Sequence, residues 1–209
     1  MDDILPVILG LGFAVLLFAA PIWLYRKAQA NAAREKEKKQ NQLRVEAQEF
    51  MREVRASCGL RRISSTVILK PGEVAYFEEP ASLYETRAVR HYASSGGRVR
   101  IMKGLSVGGS SGNSYSTQEW TRIAHGLLTI TNKRLIFAAQ STSRSFPIAR
   151  ILSADCSTDG VEIPVEGRQK GMVFKGGMNP LILASVVRIC CAFEDPSKID
   201  PQKIEITYV

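Results

Sequence analysis

The longest stretch without charge lies at the start of the chain and constrains it more than any other feature. Residues 4–25 read ILPVILGLGFAVLLFAAPIWLY and contain no charged side chain. A helix of about 20 apolar residues is long enough to cross the roughly 30 Å hydrocarbon core of a bilayer. A secretory signal peptide would start with basic residues, whereas this chain starts with Asp2 and Asp3. The sequence therefore predicts a retained transmembrane helix over residues 1–25.

Positive charge begins directly after this run and predicts its orientation. The chain has 28 Lys and Arg residues against 20 Asp and Glu, and none of the basic residues precedes Arg26. Basic residues mark the cytoplasmic side of a span, and aromatic residues mark the interface. The predicted membrane anchor consists of Trp23, Tyr25, Arg26 and Lys27. We therefore expect a single-pass protein of the inner, cytoplasmic membrane, with its N-terminus outside and its remaining residues in the cytoplasm.

Residues 26–58 are predicted to form a basic helical stalk. They contain neither Gly nor Pro and are rich in Ala, Glu, Lys, Arg and Gln, which favour helix. Apolar residues at spacings of 4, 3 and 4 form a seam: Leu43, Ala47, Phe50 and Val54. The seam permits two alternatives, a coiled coil with a second copy of the chain or docking on the chain's own folded domain. Two heptads are fewer than a coiled coil usually needs.

Residues 59–195 alternate between apolar and polar positions and predict a β domain, followed by a tail at 196–209. Short runs rich in β-branched and aromatic residues are separated by Gly, Asn, Asp and Pro. The predicted strands are 67–69, 74–78, 82–90, 98–107, 118–124, 126–131, 134–139, 144–149, 151–156, 161–165 and 171–174. Residues 179–193 return to helical spacing, with Pro180 in the first turn. We expect an antiparallel barrel capped by a helix, and leave open whether residues 204–209 add an edge strand.

The strongest motif lies at residues 126–137, where an alternating strand meets a Thr-Asn-Lys-Arg turn and a Leu-Ile-Phe strand. The residues in this pattern are Gly126, Leu128, Ile130, Thr131, Asn132, Lys133, Arg134, Leu135, Ile136 and Phe137. The motif resembles the pleckstrin-homology-like domains of the bacterial and GRAM type. The clear resemblance covers residues 118–193 and, more loosely, 66–193.

This resemblance implies a mainly β fold, a half-open seven-stranded antiparallel barrel with a C-terminal capping helix. It also implies binding of lipids or proteins without catalysis. The chain departs from the family pattern in a Gly/Ser-rich insertion at residues 104–116. This insertion lacks the Gly-Lys-Ser/Thr ending of a phosphate-binding P-loop, so we expect a flexible hairpin connection.

Basic residues near the predicted turns are the candidate binding residues. Pleckstrin-homology domains that hold inositol phosphates use basic residues beside their first hairpin, so the resemblance implies an anionic headgroup site. The candidates are Arg98, Arg100, Lys103, Lys133 and Arg134. A solvated strand face is the alternative for the first three, and charges that blunt a strand edge are the alternative for the last two.

No catalytic, metal or cofactor motif is apparent in the sequence. His91 and His125 are the only histidines, and neither has Cys, Asp or Glu at metal-ligand spacing. Nucleic-acid binding is not expected, because aromatic and basic residues are not interleaved. We therefore expect a non-enzymatic, membrane-tethered binding or scaffolding module with a protein partner or anionic lipid. The alternatives are an accessory subunit of a larger membrane complex and a small hydrolase, which would need a polar pocket containing a histidine.

Overall fold

The computed structural model describes residues 4–102, 105–157 and 159–200; for 4–22, 90–113 and Tyr115 it describes the backbone alone. Two helices are present in these ranges, α1 (Ile4–Ala56) and α2 (Pro180–Ala192), together with a short 3-10 turn at Ile148–Arg150. The strands are β1 (Ala75–Met102), β2 (Leu105–Thr131), β3 (Arg134–Ala139), β4 (Ser143–Pro147), β5 (Asp155–Cys156), β6 (Gly160–Glu162) and β7 (Met172–Lys175).

The chain divides into two compact units between Glu46 and Ala47, inside helix α1. In the first unit Trp23 and Tyr25 are exposed, and the Lys27 ammonium lies 4.8 Å from the Trp23 ring centroid. Most of the predicted span at residues 4–25 lies outside the residues whose side chains are described. Within the part of the chain that was fully described, no helix is long and apolar enough to cross a membrane.

The second unit is built on one antiparallel sheet of seven strands in the order β4-β3-β2-β1-β7-β6-β5. The prediction of a mainly β antiparallel domain followed by a C-terminal helix is confirmed. The two ends of the sheet approach each other through a bridge between Ile151 and Val165. Beside it, the Leu152 amide donates to the Pro164 carbonyl at 3.0 Å, and the Glu166 amide donates to the Arg150 carbonyl at 2.8 Å.

Strands β1 and β2 are much longer than predicted. They pair from Ala75 opposite Thr131 to Met102 opposite Leu105, so the five separate strands expected between residues 74 and 131 are two. The Gly/Ser-rich residues 105–116, expected to be a flexible connection, lie in β2 opposite residues 90–102. The partner strand satisfies their backbone groups and thereby overrides the weak strand preference of Gly and Ser.

The strand predicted at residues 67–69 is irregular, because side chains bind its backbone instead of a neighbouring strand. The Thr66 amide donates to a carboxylate oxygen of Glu78 at 3.0 Å, and Arg134 donates to the Ile68 carbonyl at 3.3 Å. These contacts hold residues 66–68, which precede β1, against the sheet without a ladder of backbone hydrogen bonds.

The core of the unit lies between the sheet and helix α2. Asn179 caps α2 by accepting a hydrogen bond from the Leu181 amide at 3.0 Å, and Pro180 follows at the first helical position. This start places the apolar face of the helix on the sheet, where Leu183, Val186 and Val187 are fully buried. Burial of such side chains supplies most of the favourable free energy of folding.

The last turns of α1 also belong to this core. Ala47, Met51 and Val54 are buried, and Phe50 packs against the core cluster that contains Met51 and Val54. For Ala47, Phe50 and Val54 of the predicted seam, docking on the chain's own domain is the alternative that the structure supports. Leu43 is half-buried and lies in the first unit.

Residues 58–60, just after α1, are joined to residues 196–199, just after α2. The Leu60 amide donates to the Pro196 carbonyl at 2.7 Å, and the Ile199 amide donates to the Cys58 carbonyl at 2.6 Å. We call this pair of contacts the terminal clasp. At Gly59 a Cβ atom would lie 2.4 Å from the carbonyl carbon of Ser197, so only glycine fits there. The predicted tail segment at 204–209 lies outside the described residues.

Candidate functional site

The Thr-Asn-Lys-Arg turn between β2 and β3 is bound to the turn that precedes β1. The Asn132 side chain accepts from the Val74 amide at 2.9 Å and donates to the Gly72 carbonyl at 3.2 Å. The Lys133 ammonium donates to the Pro71 carbonyl at 2.8 Å. The motif therefore fastens two turns that are about 60 residues apart in sequence.

Arg134 completes this connection through a buried carboxylate. Its Nε and Nη2 atoms donate to the two carboxylate oxygens of Glu73 at 2.8 and 3.0 Å. The Glu73 side chain has no solvent exposure, and that of Arg134 is 21% exposed. The same carboxylate accepts from the Thr131 hydroxyl at 2.8 Å and from the Lys70 amide at 2.7 Å.

These contacts determine the charge state of Glu73. Burial on its own raises the pKa of this carboxyl, but the hydrogen bonds from Arg134, Lys70 and Thr131 outweigh it and lower the pKa from 4.5 to about 2. Lys133 and Arg134 were predicted to bind a ligand. In the structure both side chains bond to the chain itself, because the turn brings them onto the carbonyls and the carboxylate of residues 68–73.

The other predicted binding residues lie in the long β1–β2 hairpin. Strand β7 pairs with β1 only at residues 82–85, and β3 pairs with β2 only at residues 126–130. Farther along, the described parts of β1 and β2 pair with each other alone. The backbone of Arg98 lies opposite Gly108 and that of Arg100 opposite Ser106. Their side chains, and the whole of Lys103, lie outside the described residues.

We call residues 87–118 the basic ribbon. Its sequence contains five basic residues and no acidic residue. The basic residues are Arg87, Arg90, Arg98, Arg100 and Lys103. Four of these residues, Arg87, Arg90, Arg98 and Arg100, lie in the part of β1 that extends past β7.

A second group of charges lies where β7 leaves β1. Ala81, Leu83 and Glu85 are buried at alternating positions of β1, so the Glu85 carboxylate projects toward the core side of the sheet. Arg168, in the turn between β6 and β7, donates from Nη2 to Oε1 of Glu85. The Arg144 Nε atom, on β4, lies 3.8 Å from the same oxygen. We call these three residues the arginine site.

Arg168 of this site also contacts an aromatic ring, and both arginines have a buried donor without a partner among the described residues. The Arg168 guanidinium lies 5.4 Å from the Phe146 ring centroid, within the range of a cation–π contact. The Nε atoms of Arg144 and Arg168 are buried and find no acceptor among the described residues. Sequence reasoning missed this site because its members are up to 83 residues apart. The one signal was a carboxylate, Glu85, at a position where the β1 alternation requires an apolar residue.

The histidines do not lie in the cleft at the end of α1. The cleft has a volume of about 510 Å³ and is lined by residues at the end of α1 and the start of the sheet, including Phe50, Leu60 and Tyr76, but by no histidine. His125 is exposed, with Nδ1 at 3.1 Å from the Ser82 hydroxyl. The side chain of His91 lies outside the described residues. Within the described residues, no group of three or more His, Cys, Asp or Glu is placed to hold a metal ion.

Comparison of the chain with protein-family models, with curated proteins and with solved structures gives no match. A function therefore has to be inferred from the fold and from the basic ribbon and the arginine site.

Proposed function

We propose that the chain is a membrane-tethered binding or scaffolding module without catalytic activity, and that the basic ribbon is its contact element. Its partner is anionic, either the headgroups of a lipid surface or an acidic protein surface. The second unit of the chain is the binding module, with a pleckstrin-homology-like architecture, and the apolar run at residues 4–25 is the tether.

The strand order and the helix support the pleckstrin-homology-like architecture. Seven antiparallel strands run in an order that places β1 beside both β2 and β7, and the bridge between Ile151 and Val165 draws the sheet ends together. Helix α2 follows the last strand and packs its apolar face on the sheet. The combination is that of a half-open barrel with a helix across one opening.

The basic ribbon is the observation that carries the proposed function. Sixteen residues of β1, Arg87 to Met102, extend past β7, which corresponds to a length of roughly 50 Å at 3.3 Å per residue. A two-stranded ribbon without a third strand has little stability of its own in water, so contact with a partner adds the stabilisation that further strands would give. Its five positive charges attract an anionic partner and accelerate the encounter.

The tether makes weak contacts effective. A module held at the inner leaflet meets membrane-bound partners at a high effective concentration, so modest affinity at the ribbon suffices for occupancy. The cations that follow residue 25 add attraction to anionic lipid, roughly 1 kcal/mol for each one near the surface.

Crosslinking in native membranes, followed by mass spectrometry of proteins and lipids, tests the proposal. The test variant replaces Arg98, Arg100 and Lys103 by Gln in the full-length chain. A matched control replaces three exposed basic residues outside the ribbon, Arg52, Arg150 and Lys198, by Gln. We expect the ribbon variant to lose its crosslinked partner and the control to retain it. Equal recovery from both variants would favour an accessory subunit that binds through its span and stalk.

Protease accessibility in sealed cells tests the orientation separately. The proposal places the C-terminus in the cytoplasm, so a C-terminal tag should stay intact until the membrane is permeabilised. Cleavage of the tag by protease added outside intact cells would overturn this arrangement.

A further inference from the structure

We infer that the arginine site, formed by Glu85, Arg144 and Arg168, binds one phosphate group. The site is separate from the basic ribbon, and the inference holds whether or not the ribbon contacts a partner. Its ligand is a phosphate monoester, carried by a lipid headgroup or by a small soluble molecule.

The charges of the site favour an anion. Two guanidinium groups face one carboxylate, which leaves one positive charge uncompensated among the three residues. Glu85 is buried, while the side chains of Arg168 and Arg144 are 22% and 40% exposed. The two arginine side chains are therefore partly accessible to an approaching ligand, whereas the Glu85 side chain is almost inaccessible.

The hydrogen-bond donors of the site also indicate a missing acceptor. The Nε atoms of both arginines are buried and have no partner among the described residues, and the 3.8 Å between the Arg144 Nε and Glu85 is too long for a hydrogen bond. Buried donors in folded proteins are almost always paired. Because both guanidiniums face the same carboxylate oxygen, one oxyanion can accept from both.

The convergence of donors from two elements suits a phosphate. Arg144 projects from β4 and Arg168 from the turn between β6 and β7, so their donors reach the site from two elements. A tetrahedral phosphate offers acceptor oxygens in several directions, whereas a carboxylate offers two in one plane.

The surrounding contacts hold the site in place before a ligand arrives. The Gly171 amide donates to the Thr86 hydroxyl at 3.0 Å, which fixes the turn that carries Arg168 against β1. A Cβ atom at Gly171 would lie 2.7 Å from the Trp120 ring, so this tryptophan lies directly beside the turn. Such preorganisation reduces the entropy lost on binding.

Trp120 provides a fluorescent reporter for the test. The chain has two tryptophans, so Trp23→Phe leaves Trp120 alone in the full-length protein. Inorganic phosphate is the probe. We expect a saturable change in Trp120 emission, weakened about tenfold or more by Arg144→Gln or Arg168→Gln, since each removes charge-assisted hydrogen bonds. Arg52→Gln, which makes the same replacement at an exposed position of α1, should leave the response unchanged.

Glu85→Gln distinguishes ligand binding from a structural effect. This variant removes the negative charge next to the ligand, so we expect it to bind phosphate more tightly than the wild type. Loss of the fold would weaken the response instead, and circular dichroism of each variant identifies that case. No saturable response in the folded wild type, or equal affinities in the wild type and the folded arginine variants, would overturn the inference.

Two further arms identify the source of the phosphate and separate the site from the ribbon. Reconstitution into phosphatidylcholine nanodiscs with and without phosphatidate shows whether a lipid headgroup gives the Arg144-dependent response; a response to free phosphate alone indicates a soluble ligand. The variant with Gln at Arg98, Arg100 and Lys103 should bind phosphate as the wild type does. Loss of binding in that variant would place the phosphate on the ribbon and overturn the arginine site.

Discussion

Arg134 and Glu73 form a two-point contact, with the guanidinium Nε and Nη2 atoms on the two oxygens of a fully buried carboxylate. The contact joins the turn after β2 to the residues that lead into β1. The Thr-Asn-Lys-Arg motif thus holds two turns of this chain together. Its arginine, Arg134, pairs with a buried carboxylate of the chain itself.

Arg134→Gln should destabilise the second unit strongly. The change leaves the buried Glu73 carboxylate without its positive partner, and breaking such a pair typically costs about 3–5 kcal/mol of unfolding free energy. Lys133→Gln, in the same turn, removes a hydrogen bond from an exposed side chain and should cost less than about 1.5 kcal/mol. Urea unfolding of the full-length chain in detergent measures both. Similar losses for the two variants would contradict a structural role for the ion pair.

Stability should also fall in acid because of Glu73. Its pKa is about 2 in the folded protein and 4.5 as the ordinary value, so its contribution is complete above pH 4.5 and disappears as the pH falls toward 2. The size of this contribution is about 3 kcal/mol. The wild type should therefore lose more stability between about pH 5 and pH 2 than Glu73→Gln, which has no proton to bind there. Parallel pH profiles for the two proteins would be inconsistent with this account.

Gly126→Ala should weaken the pairing of β2 with β3. A Cβ atom at this position would lie 2.2 Å from the Ala138 carbonyl oxygen and 2.6 Å from the Ala139 side chain. The overlap can be relieved only if the paired backbone of β2 or β3 moves. We therefore expect the free energy of unfolding to fall by about 1–3 kcal/mol, seen as a lower melting temperature. Gly177→Ala is the matched control, because nothing lies within 4 Å of its added atom. An unchanged melting temperature for Gly126→Ala would show that β2 and β3 make room for the added methyl group without loss of stability.

Met51→Ala should destabilise the β domain although the residue lies in helix α1. Met51 is buried in the common core, and truncation of such a side chain costs about 2–5 kcal/mol. Val45→Ala removes apolar atoms from the same helix at a position that is 52% exposed, and should change stability by less than about 0.5 kcal/mol. Equal effects on the thermal unfolding of the β domain would mean that the end of α1 is not part of its core.

Patterns contained within a single strand or helix were sufficient to predict that strand or helix. Alternating apolar residues predicted a mainly antiparallel β domain, and Pro180 with its apolar stripe predicted a helix over 179–193, observed at Pro180–Ala192. The Gly/Ser-rich residues 105–116 were predicted to be a flexible connection because their composition favours turns. They form a strand because residues 90–102 supply a partner strand.

Partners that are distant in sequence explain what could not be predicted. Arg134 has a basic side chain typical of a binding turn, but its function depends on Glu73, which is 61 residues away. The arginine site depends in the same way on the curvature of the sheet, which brings Arg144 and Arg168 to one carboxylate. No spacing rule in a single sequence encodes such convergence.

The terminal clasp has a mechanical consequence. Tension applied along helix α1 meets the β domain first through the buried side chains of Ala47, Met51 and Val54. Directly after the helix, the backbone of residues 58–60 is bonded to Pro196 and Ile199. A pull on the end of α1 is therefore shared between the core and the segment that follows α2, and it reaches that segment without passing through the sheet.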